Sequence, residues 1–339
     1  MCSRADLMGK VKCISHSEDV DGLVCASLLR MVKGAEFILT DYVNLERELE
    51  SIPENAREVY ICDLSLREEL LGELRRIRKS SDLTYIDHHP FQGQVFERLK
   101  EMGVEMVHST EKCAGMLTYQ LFEKELPKEA AFMTACAVTS DYPSSSKEVS
   151  LFIERFDPQL LAFESTLLNY AIARDLEDKG FKNVIVKGLS RPKMPHEIPK
   201  VLEYAQEHID YIFDNLKNAD KRLRYGKNLA YIQVSGTTTL LANSLVRVAE
   251  KPTIICYSKY RDGERYRFSI RSRERKYDLG RLVSKIAVQL GGIGGGHPLA
   301  AGAQLPAKSV ESFIKELDTA LEQYHKFSQY EAGEVDKLL

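Results

Sequence analysis

"LTYIDHHPF", residues 83–91, joins an apolar run to an acid and two imidazoles and then meets a proline. Leu83, Thr84, Tyr85 and Ile86 read as a buried strand, and Asp87, His88 and His89 follow directly. Successive side chains on a strand point to opposite faces, so the three polar groups cannot act together within one. Where the strand ends the backbone turns, and all three can converge. The stretch therefore predicts a strand whose carboxyl end carries ligating groups.

The same pattern surrounds it. Residues 11–15, 36–40 and 59–62 are short apolar runs, while 22–33 and 67–79 space their apolar residues as helix faces. Strands alternating with helices of this length indicate βαβ units and a parallel sheet. Residues 115–180 read as mostly helical, for example over 129–138 and 158–173. "SRPKMPHEIPK", 190–200, then brings three prolines that break any regular element. Residues 201–223 follow as a connecting helix with Leu202, Ala205, Ile209, Ile212 and Leu216 on one side. Strand patterns return at 229–234, 253–257 and 266–271 and lead into the glycine-rich "LGGIGGGHPLAAGA", 290–303. The expected domains are residues 1–190, a linker helix within 191–225, and a smaller α/β domain over 226–339.

With 339 residues, 44% of them hydrophobic and 29% charged, the chain is expected to fold as a cytoplasmic globular protein without a membrane span or a signal peptide. Seven cysteines are scattered without a CxxC pair. Cys13, Cys25, Cys62, Cys136 and Cys256 lie in apolar segments and read as buried free thiols, so zinc held by cysteine is not expected. A net charge of −3 conceals an asymmetry: residues 221–290 hold 16 Lys and Arg against 5 Asp and Glu, the remainder 31 against 45. Such a basic block is a candidate surface for a polyanion, although a solvated basic face needs no partner.

Three of the four early strands end in potential ligands. His16, Asp19 and Asp21 follow the first in "HSEDVDG", Asp63 ends the third in "YICDLS", and Asp87, His88 and His89 end the fourth. Open parallel sheets gather ligands outside the carboxyl ends of their strands. Asp141, in "AVTSDYP", can return to the same rim. Oxygen ligands mixed with imidazole suit Mn²⁺ or Mg²⁺, and two ions can share a bridging carboxylate for phosphoryl chemistry. A single Asp in such a place is often a helix N-cap, and Asp19 or Asp21 can be one. Capping does not explain the histidines and aspartates that end the other strands.

"DVDG", "YICDLS", "IDHHP" and "TSDYP" resemble the four motifs of the DHH phosphoesterase family. "GGIGGGHPLAAG" resembles the DHHA1 domain that accompanies them in the RecJ-like and nanoRNase branch, whose compact relatives include an archaeal Hef-associated nuclease. The resemblance spans nearly the whole chain. It implies an α/β fold: a parallel-sheet DHH domain with flanking helices, a linker helix and a smaller α/β DHHA1 domain. It further implies two divalent metal ions, Mn²⁺ before Mg²⁺. His16, Asp19 and Asp63 would hold one; Asp21, Asp63, His88 and Asp141 would hold the other, with Asp63 bridging. Asp87, His88 and His89 become the catalytic group, His89 facing the phosphate and Asp87 supporting the imidazoles. The chain departs from the H-x-D-x-D-G spacing common in the nuclease branch, since Ser17 and Glu18 separate His16 from Asp19, and Glu18 is an alternative ligand.

The glycine stretch reads as a loop in which Gly294, Gly295 and Gly296 bring backbone N–H groups close to a phosphate beside His297. In "RYRFSIRSRER", 265–275, strand alternation puts Arg267, Ser269 and Arg271 on one face, and Arg267 or Arg271 would face a phosphate. His108, His196, His208 and His325 lie outside these clusters and are expected to be surface or structural. The resemblance implies a hydrolase: a Mn²⁺-dependent, single-strand-specific 3′→5′ exonuclease of DNA or RNA that releases nucleoside 5′-monophosphates. The expected associations are a homo-oligomer and a DNA-repair or replication helicase. Alternatives are a nanoRNase, a 3′-phosphoadenosine phosphate phosphatase, a cyclic-dinucleotide phosphodiesterase, or a non-catalytic scaffold of a replication or repair complex.

Overall fold

Strand β1 (Val11–His16) is buried on both faces, with Cys13 packing to one side and Ile14 to the other, and this doubly apolar pattern makes it the centre of a sheet. The computed structural model describes residues 10–91, 93–141, 146–275 and 277–335. The chain divides into two units, Met1–His208 and Ile209–Leu339, and the division falls within the helix that connects them.

In the first unit β1 pairs in parallel with β2 (Glu36–Thr40) and β3 (Glu58–Cys62). β4 (Asp82–Asp87) and β5 (Glu105–His108) complete the five-stranded sheet in the order β2-β1-β3-β4-β5. Helices α1 (Val20–Lys33), α5 (Ala114–Phe122), α6 (Ala130–Ser140), α7 (Lys147–Ile153), α8 (Pro158–Arg174) and α9 (Lys179–Leu189) supply the core on the Cys13 face. Helices α2 (Leu45–Glu50), α3 (Leu71–Ser80) and α4 (Val95–Glu101) supply it on the Ile14 face. Because every strand runs the same way, all five carboxyl ends open on one rim, and this is how the fold positions the site. Strand β5 was not expected from sequence. It is short, lies at the edge and is only half buried, so it carries no apolar run to read.

The connecting helix is α10 (Val201–Lys217), followed by the short α11 (Ala219–Arg222), where the sequence predicts one helix to 223. Asn218 makes the break: its side-chain amide donates to the Asp214 carbonyl at 2.9 Å, a local bond that competes with the helix.

The second unit holds a mixed six-stranded sheet. β6 (Arg224–Tyr225), β7 (Leu229–Val234), β8 (Thr253–Lys259), β9 (Arg265–Ser272), β10 (Ile293–His297) and β11 (Ala300–Pro306) lie in the order β10-β11-β9-β8-β7-β6. α12 (Thr239–Val248) packs on one face, and α13 (Leu279–Gln289) and α14 (Val310–Val335) supply the core of the other. The glycine stretch is thus corrected from loop to strand: Gly294, Gly295 and Gly296 belong to β10 and pair with Ala303, Gly302 and Ala301. Close packing by α13 explains the composition, since a Cβ on Gly280 would sit 2.1 Å from the Gly296 carbonyl oxygen.

The cysteines among the described residues are buried free thiols. His208 is also buried, against the Tyr170 ring at 5.6 Å, and burial pushes its pKa down to about 4. His196 bonds the fully buried Glu164 through its ring and its backbone N–H. The side chain of His325 lies outside the described residues. No helix among the described residues is long and apolar enough to cross a membrane.

Gly280→Ala tests the packing directly. Helix propensity alone would stabilise the variant by about 1 kcal/mol; overpacking against Gly296 is expected to destabilise it by about 1–3 kcal/mol instead. Urea unfolding of the full chain measures the sign, and a gain in stability would refute the close approach.

Candidate metal centre

Asp63, the residue after β3, has φ 57°, the left-handed region that non-glycine residues rarely enter. Its N–H still bonds the Ile86 carbonyl at 3.0 Å, so the turn comes immediately after the sheet ladder. This turn sends its two carboxylate oxygens to different neighbours. Oδ2 lies 3.6 Å from His16 Nδ1, and Oδ1 lies 3.4 Å from His88 Nε2.

The residues around it come from separate strand ends. His16 closes β1 and meets Asp19 Oδ2 at 2.8 Å through Nδ1. Asp19 is also the N-cap of α1, accepting from Gly22 N at 3.0 Å, so the cap and the candidate ligand are one side chain. A Cβ on Gly22 would sit 2.3 Å from the His16 carbonyl oxygen, which accounts for the glycine of "DVDG". Asp21, in the first turn of α1, accepts from Ala114 N and Gly115 N at 2.8 Å each, the start of α5, where the helix dipole favours an anion. Asp141 ends α6 and reaches His88 Nδ1 at 3.4 Å; Tyr142 and Pro143 of its motif lie outside the described residues.

Ligand atoms within 4.8 Å of one another fall into three overlapping groups: His16, Asp19 and Asp63; Asp21, His88 and Asp141; and Asp63, Asp87, His88 and His89. His16, Asp19, Asp21, Asp63, His88 and Asp141 thus belong to one continuous cluster. Asp63 reaches the Asp21 and Asp141 group through His88 rather than directly, and Glu18 belongs to none of the groups.

Asp87 and His89 form a different arrangement. Asp87 is fully buried; it takes His89 Nδ1 at 2.8 Å on one oxygen and the Tyr85 hydroxyl on the other. Tyr42 approaches the far side of the ring, its hydroxyl 3.4 Å from His89 Nε2. His108 Nε2 donates to the His89 carbonyl at 2.7 Å. Sequence reading missed Tyr42, Tyr85 and the tie made by His108. Only Tyr85 left a signal, as a hydroxyl two residues before Asp87 on the same strand face.

Crowded carboxylates shape the electrostatics. Burial, then the charges of Asp19 and Asp21, push the Asp63 pKa well above the carboxylate range. Burial, then Asp21, pushes Asp141 up to about 9, and burial also raises Asp21. Burial opposes ionisation of Asp19, but the His16 charge overcomes it and holds that carboxyl low. For His16, burial is outweighed by Asp19 and Asp63, which raise its pKa. Asp63 Oδ2 and His16 Nε2 are buried without a hydrogen-bond partner. Orphaned atoms beside mutually repelling carboxylates fit a hard divalent cation, for which oxygen and imidazole ligands are apt.

In the second unit, Arg267, Ser269 and Arg271 share a face of β9 with Gln304, Gly302 and Ala300 of β11 and with Ile293, Gly295 and His297 of β10. Arg267 stacks on Tyr260 at 4.5 Å, and Arg271 Nε donates to Asn243 Oδ1 at 2.6 Å. Ser269 bonds Thr238 at 2.7 Å and Thr239 at 3.1 Å. Gly295 and His297 therefore lie beside the arginines. Gly294 and Gly296 do not: strand alternation turns them towards α13.

Replacing Asp63 by Asn keeps the shape and tolerates the left-handed backbone while removing a charge. Without a cation, stability should fall as pH rises from the ordinary carboxylate range near 4 towards about 9, because the folded state there binds more protons than the unfolded chain. In chelator at pH 8, Asp63→Asn is therefore expected to be more stable than wild type by about 1 kcal/mol. It should also lose the gain of about 3 kcal/mol that Mn²⁺ at a hundredfold excess over Kd gives a binding protein. Thermal melts with and without Mn²⁺ measure both; a variant less stable in chelator and still responsive to Mn²⁺ would contradict the electrostatic account.

Residues 228–323 match the DHHA1 domain family. No curated protein sequence matches the chain. Solved structures share its fold at low identity. A pGpG-specific phosphodiesterase, PggH from Vibrio cholerae, aligns with TM-score 0.53 and 14% identity, covering 92% of this chain and 99% of that one. RecJ from Thermus thermophilus, in complex with Mn²⁺, gives TM-score 0.62 and 14% identity over 94% of this chain and 53% of its own. An exopolyphosphatase-related protein from Bacteroides fragilis gives 0.57 and 14%, covering 94% and 93%. Residues 228–323 thus form a DHHA1 domain, and the chain as a whole shares the fold of these solved structures.

Proposed function

We propose that the chain is a Mn²⁺-dependent phosphodiesterase that removes nucleotides from the 3′ end of single-stranded DNA or RNA and releases nucleoside 5′-monophosphates. The observation that carries this reading is the Asp63 carboxylate, with one oxygen towards His16 and the other towards His88. A shared carboxylate between two ligand groups is the arrangement that two-ion phosphoryl chemistry uses. Bound cations would supply Lewis acidity at the phosphoryl group and activation of water.

His16, Asp19 and Asp63 would hold one ion; Asp21, Asp63, His88 and Asp141 would hold the other. The protein's own contribution is orientation. Asp87 fixes the His89 ring through Nδ1, so that Nε2, which the Tyr42 hydroxyl approaches at 3.4 Å, is the nitrogen that would face a phosphoryl oxygen, and Tyr85 and His108 fix Asp87 and the His89 backbone in turn. In the second unit, Arg267, Arg271 and His297 border a shelf that carries no side chains at Gly295 and Gly302, where a nucleic-acid backbone can lie close. The excess of 16 basic over 5 acidic residues in 221–290 supports a polyanionic substrate.

A second reading is hydrolysis of a short substrate such as a dinucleotide. The fold shared with the pGpG-specific phosphodiesterase over 99% of that protein favours it, whereas RecJ extends well beyond the aligned part. A non-catalytic scaffold accords poorly with the structure, because Asp19, Asp21, Asp63, Asp87 and Asp141 all stand at one rim.

Digestion of matched DNA and RNA oligonucleotides with Mn²⁺ tests the proposal. Mononucleotide should appear at once from a 3′ label and last from a 5′ label, and chelator should stop the reaction. His88→Ala should slow it by at least about a hundredfold, given that misplaced reacting groups cost that much. Immediate release from the 5′ label alone would overturn the polarity, and unchanged turnover in His88→Ala would overturn the site.

A further inference from the structure

Arg67 lies four residues after Asp63 and is partly buried, yet its guanidinium meets only one acceptor among the described residues, the Tyr42 carbonyl at 3.2 Å from Nη2. Its Nε is buried and makes no hydrogen bond. Arg76, in the following helix, shows what a satisfied arginine looks like here: Nε on Glu73 at 2.6 Å, and the terminal nitrogens on the carbonyls of Leu49 at 2.8 Å and Ile52 at 3.2 Å. A guanidinium stays charged and offers five donors in a planar fork, so partial burial without an anion leaves it under-satisfied. Nearby acids do not fill the gap: Glu68 accepts from the Gln94 N–H, and the carboxylates of the rim pair with histidines and helix N–H groups.

Tyr42 fixes where this cation stands. Its carbonyl holds Arg67; its ring lies 5.3 Å from the His16 ring and 6.3 Å from the His89 ring; its hydroxyl reaches His89 Nε2. Arg67 is therefore anchored to the backbone of the residue whose side chain borders the metal centre. A guanidinium fork matches two phosphate oxygens. We propose that Arg67, carried on Tyr42, is a second phosphate subsite that takes the phosphate next to the one hydrolysed, so that the substrate is held by two successive phosphates. This rests on the phosphodiesterase reading and deepens it: a substrate with one phosphate fills the centre but leaves Arg67 without its anion.

Two measurements on the full chain test it. The first compares the p-nitrophenyl ester of thymidine 5′-monophosphate, which carries one phosphate, with 5′-phosphorylated dithymidylate, which carries two. Wild type should show at least a tenfold lower KM for the dinucleotide. Arg67→Gln should raise KM at least tenfold more for the dinucleotide than for the ester, and Arg67→Lys, which keeps the charge but not the fork, should fall between them. The second measures binding of a fluorescein-labelled ten-residue thymidylate in Ca²⁺ at several salt concentrations. Arg67→Gln should reduce the slope of log K against log salt by about 0.7, the value of one single-strand phosphate contact. Equal losses on both substrates together with an unchanged slope would overturn the subsite. So would a wild type indifferent to the second phosphate, a comparison that needs no variant to fold. If wild type hydrolyses neither substrate, the phosphodiesterase reading fails, while the slope still decides whether Arg67 binds phosphate.

Discussion

The structure of the first unit turns on charge convergence at the end of a parallel sheet. Because β1, β3 and β4 run the same way, His16, Asp63 and Asp87 emerge at one rim, and α1 and α6 deliver Asp19, Asp21 and Asp141 to it. Aspartates this close repel one another, and burial denies them the water that would screen them. A fold can retain such an arrangement only if something else repays its cost. A cation held by these groups would do so, and it would also give a reason for the backbone conformation of Asp63, which few residues enter.

Around the cluster, the protein spends hydrogen bonds on orientation. The first amides of α5 fix Asp21, Tyr85 and His89 divide Asp87 between them, and His108 pins the backbone of the Asp-His-His turn. The contacts of Asp21 and His108 join elements far apart in sequence, while those of Asp87 stay within the Asp-His-His segment and its strand. Tyr42 and Arg67 belong to the same scaffold on its other side. They connect the segment after β2 to the segment after β3 and hold a guanidinium on the backbone of the residue whose ring lies beside His16 and His89.

How much of this was legible depended on periodicity. Asp63, Asp87, His88 and His89 follow apolar runs directly, so the strand pattern by itself locates them. Asp141 follows a helix, so the pattern shows only that it can return to the rim, and the resemblance supplies its role as a ligand. The glycines at 294–296 were misread because a strand of glycines shows no alternation of apolar and polar residues, and their role is set by the closeness of α13, which sequence does not display. Tyr42, His108 and Arg67 were silent for another reason. They sit in irregular segments or at the sheet edge, and their partners lie 47, 19 and 25 residues away. No local pattern records such contacts.

The central claim is that Asp63 joins two cation sites built from separate strand ends. Anomalous diffraction from crystals of the full chain grown in Mn²⁺ tests it most directly. The account predicts two manganese peaks flanking the Asp63 carboxylate, one beside His16 and Asp19, the other beside His88, Asp21 and Asp141. A structure with no manganese at that rim, or with a lone ion that leaves Asp63 uncoordinated, would contradict it.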